Sequence, residues 1–259
     1  MRERPEPAHA VAWRGPVDPF ALIAFLGSIT AGAIATVAGF GIGSVLTPLL
    51  GTAVGVKLGV ALASIPHVAG TALRLWIVRA DIDRRLLLGF GVTSAAGGLA
   101  GAALQSVASS PALTVVFSAL LLFAGFGGIT GYSERLRFGP RSAWIGGALS
   151  GFLGGLVGNQ GGIRSAAMLG FSVRKQAFVA TSTAVALIVD GARVPVYVAT
   201  QGAALAANGS LILTCVAGVV AGTVLGTWLL RRVPEPIFRR VVGALLVLLG
   251  LYTLSTLAR

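Results

Sequence analysis

The sequence predicts an all-α polytopic membrane protein of two inverted repeats. It holds about eight to ten helical segments, with a glycine-broken or re-entrant helix at the start of each half. Three observations lead there. First, 55% of the 259 residues are hydrophobic and only 11% are charged, with a mean hydropathy of +0.88, whereas soluble domains carry about 25% charged residues. Second, the charges are clustered, so that 20–56, 86–133 and 142–163 contain no Asp, Glu, Lys or Arg. Each run is long enough for one or more spans of roughly 20 apolar residues. Third, the chain resembles itself at an offset of 119 positions. Residues 31–51 read AGAIATVAGFGIGSVLTPLLG and residues 150–170 read SGFLGGLVGNQGGIRSAAMLG. Gly32 then matches Gly151, Gly39 matches Gly158, Gly43 matches Gly162 and Leu50 matches Leu169.

These observations divide the chain into a polar tail (1–19), a first repeat (20–133), a short cytoplasmic linker (134–141) and a second repeat (142–259). The tail is mixed in charge, and the apolar run after it is much longer than a signal-peptide core, so it reads as a tail and a first helix. Apolar segments follow at 20–38, 42–56, 59–79, 86–105, 111–131, 142–158, 162–173, 176–199, 208–230 and 237–256. The second and the seventh are short, and each follows a glycine cluster: Gly39, Gly41 and Gly43 in one copy, Gly158, Gly161 and Gly162 in the other. Non-helical backbone at membrane depth is tolerated only where protein buries it or where it lines a cavity. Close helix packing is the competing use of such glycines, and it suffices for Gly97, Gly98 and Gly101. Recurrence at matched positions favours a break and a binding site for the two clusters.

The loops set the orientation. Arg79, Arg84 and Arg85, then Arg135, Arg137 and Arg141, then Arg174 and Lys175, and finally Arg231, Arg232, Arg239 and Arg240 form four basic groups, while the loops near 105–110 and 200–208 carry no charge. Positive loops stay in the cytoplasm. All four groups lie inside only if the two halves are inverted, with both termini outside. Lys57 is then a lone lysine on the outer side. The formal net charge of +12 is accordingly a matter of membrane topology, and no nucleic-acid partner is expected. Cys215 is the only cysteine, which excludes a disulfide framework and a cysteine metal site.

Ionisable residues inside spans are costly and mark function by default. They are His67, Arg74, Asp190, Arg193 and, just after the second break, Arg164. Asp190 is the only acid in any span, and Arg193 lies three residues on, on the same helix face. At the 119 offset their counterparts are Thr71 and Arg74. One arginine is thus neutralised by Asp190 and another is left for an anion. The residues alone leave alternatives open: a purely structural Asp190–Arg193 pair, an Arg74 that snorkels to the membrane surface, an Arg164 that anchors at the cytoplasmic face, and a His67 that is simply packed. His67 and Asp190 are the candidate coupling groups.

The breaks supply the other half of an anion site. A helix that restarts exposes free N–H groups and the positive end of its dipole, and glycine lets an anion approach the backbone. Gly41, Gly43, Ser44 and Thr47 in the first copy, and Asn159, Gln160, Gly161, Gly162 and Arg164 in the second, are the candidate ligands. One aspartate cannot build the oxygen cage a divalent cation needs, so no metal is expected. No cofactor is expected either, because 39–43 lacks the spacing, strand and later acid of a dinucleotide fingerprint. The reading is a permease for a small anion, set in the lipid bilayer of the inner membrane and not an enzyme. An assembly protein with glycines used only for packing is the alternative. An intramembrane serine protease built on Ser44 or Ser150 with His67 is weaker, since nothing in the spacing brings base and nucleophile together.

At these residues the chain resembles the TauE/SafE family of membrane permeases. The family pattern is a glycine-rich break followed by an apolar stretch ending Pro-Leu-Leu, here Gly39-Phe40-Gly41-Ile42-Gly43 and then Pro48-Leu49-Leu50. The second copy is Gly158-Asn159-Gln160-Gly161-Gly162, followed by Arg174-Lys175-Gln176-Ala177 and Ala180-Thr181-Ser182, similar to the family's basic turn and its Ala-Thr-Ser stretch. The resemblance spans most of 20–257 and implies transport of sulfite or an organosulfur anion, in a direction it does not settle. Ile42, Asn159, Gln160 and Ala167 depart from the family pattern, all within the presumed site.

Overall fold

The computed structural model describes residues 19–38, 41–131, 140–158, 161, 164, 168, 175–229 and 235–255. Among them the chain is helical and contains no strand. Helix α1 (Pro19–Ala38) opens on a proline whose fixed φ suits a first turn. Helix α2 (Ile42–Val54) starts after Gly41, whose φ of 135° is closed to other residues. Its 13 residues span only about 20 Å at 1.5 Å per residue, short of a hydrocarbon core of about 30 Å. Ile42, Gly43, Ser44, Val45, Leu46, Thr47, Pro48 and Leu50 are buried, so this short helix sits within protein.

Gly55 (φ 81°) both ends α2 and starts α3 (Val56–Val78). The hairpin is tight: a Cβ on Gly59 would stand 2.7 Å from the Gly51 nitrogen. Beyond α3, the guanidinium of Arg79 lies 3.7 Å over the Trp76 ring, an amphipathic anchor of the kind found at membrane interfaces. Asp83 then caps α4 (Arg84–Val107), its carboxylate accepting from the Leu86 N–H at 3.0 Å. Lys57 is not a stray charge. Its Nζ donates to the carbonyls of Ser106 (2.7 Å) and Ala108 (3.5 Å), and it thereby serves the negative end of α4.

Helix α5 (Ser110–Thr130) ends at Gly131 in the left-handed region. Helix α6 (Pro140–Val157) stops at Gly158, φ 75°. Gly161, Arg164 and Met168 are helical and buried. Helix α7 (Lys175–Ala207) runs 33 residues, with non-helical backbone at Gln201. The neutral loop expected at 200–208 is therefore mostly helix, kinked at Gln201, whose Nε2 donates to Gln105 Oε1 of α4 at 3.2 Å. Helices α8 (Gly209–Leu229) and α9 (Glu235–Ser255) follow. Six described helices are long and apolar enough to cross a membrane. Their outer faces carry exposed Leu88, Val92 and Leu213, as a lipid-facing surface requires.

Helices meet backbone to backbone. Cβ atoms on Gly97 and Gly101 would fall 2.1 and 2.0 Å from the carbonyl oxygens of Ala148 and Phe152 on α6, and on Gly222 of α8 2.0 Å from the Ile29 oxygen of α1. Small residues at these crossings give the dispersion contact that drives helix association in lipid, where the hydrophobic effect is absent. The 119 offset relates α1 to α6 and α4 to α8. The pairs α1 with α8 and α6 with α4 are both closely packed, and α5 packs on its counterpart α9.

Candidate functional site

The two glycine breaks touch. A Cβ on Gly43 would lie 2.1 Å from the Gly158 carbonyl oxygen, and one on Gly158 would lie 2.8 Å from Thr47 Oγ1. Residues of the two breaks, 111 and 115 sequence positions apart, are thus brought to one junction. The helices that end and begin there direct unlike ends at it: the carbonyl end of α6 and the N–H end of α2. Thr47 is fully buried, and its hydroxyl finds no partner among the described residues. Of the sequence-expected ligands, Gly41, Gly43, Ser44 and Thr47 are buried around α2, and Gly161 and Arg164 are buried beyond α6. Asn159, Gln160 and Gly162 lie outside the described residues.

The ionisable groups gather beside this junction. Asp190, with no solvent exposure, accepts at Oδ1 from Arg193 Nε (2.9 Å) and contacts Arg193 Nη2 (2.8 Å). Its other oxygen, Oδ2, stands 2.7 Å from His67 Nδ1. His67 also reaches Thr71 Oγ1 at 3.4 Å. A Cβ on Gly43 would be 4.0 Å from the His67 ring, so the histidine flanks the break itself. Arg164, 2% exposed, donates from Nε to Ser182 Oγ at 2.9 Å, within electrostatic range of Arg74, Asp190 and Arg193. Burial bears on two of the alternatives left open by the sequence. Arg164 is no surface anchor, and Arg74 does not snorkel; it is buried and bonds the Ala35 carbonyl.

The two related arginines do the same thing. Arg74 Nη1 donates to the oxygen of Ala35, and Arg193 Nη1 donates to the oxygen of Gly154 at 2.6 Å. Both reach back 39 residues, to carbonyls that correspond at the 119 offset. Each thereby places its charge on a carbonyl in the last turn of the helix before a break, at the negative end of the helix dipole. The acid breaks the symmetry: Arg193 has Asp190, whereas Thr71 stands at the equivalent place beside Arg74. Arg74 Nε and Arg164 Nη1 are buried and have no hydrogen-bond partner among the described residues. With His67 neutral, three guanidinium groups face one carboxylate. Such an excess of buried positive charge is costly unless an anion joins it.

This arrangement meets the comparisons with known proteins. A model of the family described as sulfite exporter TauE/SafE matches residues 24–253. The chain belongs to the TauE/SafE family. No curated protein and no solved structure matches it. TauE/SafE membership makes the chain a multi-pass membrane transporter of the sulfite-exporter type, and the six apolar helices agree with that placement.

Several site residues of this TauE/SafE protein escaped the sequence reading. The bond from His67 to Asp190 joins α3 to α7 across 123 residues, and no spacing announces it. Tyr197, fully buried, donates to the Gly155 carbonyl beside Arg193's own acceptor. Its position four residues after Arg193, on the same face, was the available signal. Ser182 and Thr181 stood in the Ala-Thr-Ser stretch without a role. Ser182 orients Arg164, and Thr181 Oγ1 accepts from the Asp83 N–H at 2.9 Å, tying α7 to the turn before α4.

Proposed function

We propose that the chain moves a small oxyanion, sulfite or a related organosulfur anion, across the inner membrane by alternating access between two inverted repeats. The observation that carries this reading is the pair of buried guanidinium nitrogens without a partner among the described residues, Arg74 Nε and Arg164 Nη1, within electrostatic range of each other and of Asp190. A planar guanidinium matches an oxyanion in two directions. The N–H groups at the start of α2, around Gly43 and Ser44, add a positive dipole end. In this proposal Arg74 and Arg164 bind the anion, Thr47 and the amides of Asn159 and Gln160 complete its shell, and Arg193, already committed to Asp190 and Gly154, holds the break in shape.

The test is thermal stability of the purified protein with sulfite, sulfate, thiosulfate, sulfoacetate or a simple carboxylate. A bound anion raises stability by about 2.7 kcal/mol at a hundredfold excess over Kd. Arg164→Gln should lose that gain while being no less stable than wild type without anion, because it removes an uncompensated buried charge. A wild-type protein that no anion stabilises, or undiminished gains in both Arg164→Gln and Arg74→Gln, would end the reading.

Inversion of the repeats rests on the four basic loops and on the matching roles of Arg74 and Arg193. It requires position 133 in the cytoplasm and position 255 outside. Single cysteines at Ser133 and Ser255, in a Cys215→Ser background, should label from opposite sides of intact cells. Labelling of both from one side would contradict inversion.

A further inference from the structure

We propose that His67 is a proton-binding site of the transport cycle, so that one proton is carried with each anion. The inference rests on the anion reading above and adds the ion coupled to it. The ground is geometric. Thr71 and Asp190 occupy corresponding positions of the two repeats, and His67 Nδ1 contacts both, at 3.4 and 2.7 Å. The ring thus stands where the two repeats meet, against the Gly43 break. It is also the only histidine in the membrane portion; the other is His9 in the tail. Histidine is the side chain whose ordinary charge change falls nearest neutral pH.

The charges around the ring define the coupling. On its own helix Arg74 is near, and Lys57 lies at the far end, bonded to Ser106 and Ala108. Helix α7 presents Asp190, Arg193 and Tyr197. Arg164 stands beyond α6 within electrostatic range, and α8 contributes only the neutral Cys215. The described parts of α1, α2 and α5 carry no ionisable residue. Neutral His67 donates its Nδ1–H to Asp190 Oδ2. Its Nε2 then accepts a proton from hydronium on one side of the membrane, leaving water, and returns it to water on the other. No bond other than N–H forms or breaks. Protonation takes the local charge from two positive to three. An anion cancels part of that excess, so the proton and the anion each favour the binding of the other. By linkage the effect is reciprocal, and both travel in the same direction. The bond to Asp190 makes the site part of the α3–α7 contact, so proton occupancy bears on how firmly the two repeats hold together.

Thiosulfate and sulfoacetate keep constant charge between pH 6 and 8, which makes them suitable probes. Binding of either to the wild-type protein, read by thermal shift or calorimetry, should tighten by up to about tenfold per unit fall in pH, the limit for one linked proton. In weakly buffered solution above the His67 titration, binding should withdraw up to one proton per anion from the medium. His67→Gln, which keeps a donor for Asp190, should bind with pH-independent affinity and take up no proton. Wild-type binding that is independent of pH and releases or takes up no proton overturns the proposal while leaving the anion reading intact. Retained proton uptake in His67→Gln overturns it as well, since the proton then resides elsewhere. Failure of both anions to bind at any pH removes the anion reading and this proposal together. Where His67→Gln does not fold, titration of the His67 ring followed by NMR in the wild-type protein serves instead: a ring whose titration thiosulfate leaves unmoved overturns the proposal.

Discussion

Gly43→Ala is expected to reduce transport to background and to cost about 3 kcal/mol of stability, at the upper end of what overpacking brings. The new methyl group would lie 2.1 Å from the Gly158 carbonyl oxygen. Neither partner can turn away, because both belong to backbone. Gly158 is held by its N–H bond to the Gly154 oxygen at 3.0 Å, and Gly43 sits in the first turn of a helix started by Gly41. The breaks must therefore separate by more than 1 Å, and displacements of that size at a reacting or binding centre cost on the order of a hundredfold. Flux of labelled sulfite in proteoliposomes, together with a thermal melt, measures both effects. Gly55→Ala is the control: Gly55, unlike Gly43, has positive φ, but nothing lies within 4 Å of its Cβ position. It should lose about 1–3 kcal/mol to backbone strain, since φ 81° with ψ 155° is a region open essentially to glycine alone, and keep its transport. Wild-type flux in Gly43→Ala would mean that the junction can open without harm and is no binding site.

Asp190→Asn is expected to destabilise the protein by about 3–5 kcal/mol, the usual result of removing one partner from a buried ion pair. Arg193 would stay buried with its charge uncompensated, alongside Arg74 and Arg164 in an interior that already has too few negative charges. Adding Arg193→Gln should restore part of the loss. Recovery stops short of complete because Arg193 also donates to the Gly154 oxygen at 2.6 Å, and a hydrogen bond from a charged group contributes about 1.5–3 kcal/mol. A double-mutant cycle of melting free energies in one detergent isolates the pair's coupling. Additive losses would show that Asp190 and Arg193 do not act as a pair. Transport in the double variant, if it folds, should remain low, since Gly154 borders the break that Arg193 holds.

Much of this was written in the one-dimensional pattern. Charge-free runs bounded by arginines mark out spans because lipid admits no other arrangement of polar backbone. Pairing Arg74 with Arg193 needed only the repeat offset, whereas Gly162, the counterpart of Gly43 at that offset, lies outside the described residues. The Asp190–Arg193 pair was legible too, because residues three apart share a helix face. Lys57 was misjudged as an isolated outer charge. Its acceptors are carbonyls of the following helix, 49 and 51 residues away, and only the return of α4 beside α3 brings them within reach.

The sequence by itself determined the membrane class, the helical spans, the two glycine breaks and the short roll of ionisable residues inside the membrane. Each of these follows from local rules: hydropathy, helix periodicity, and the conformational freedom of glycine. The tertiary structure alone decided that Gly43 faces Gly158, that Arg74 and Arg193 bond corresponding carbonyls, that Arg164 is buried on Ser182, and that His67 joins Asp190 between α3 and α7. These contacts connect segments 18 to 123 residues apart. They exist because α3 and α7 pack together and bury polar groups that must find partners inside the protein, lipid offering none. Which partner each one finds depends on how helices cross, a matter of side-chain shape in three dimensions that no spacing along the chain encodes.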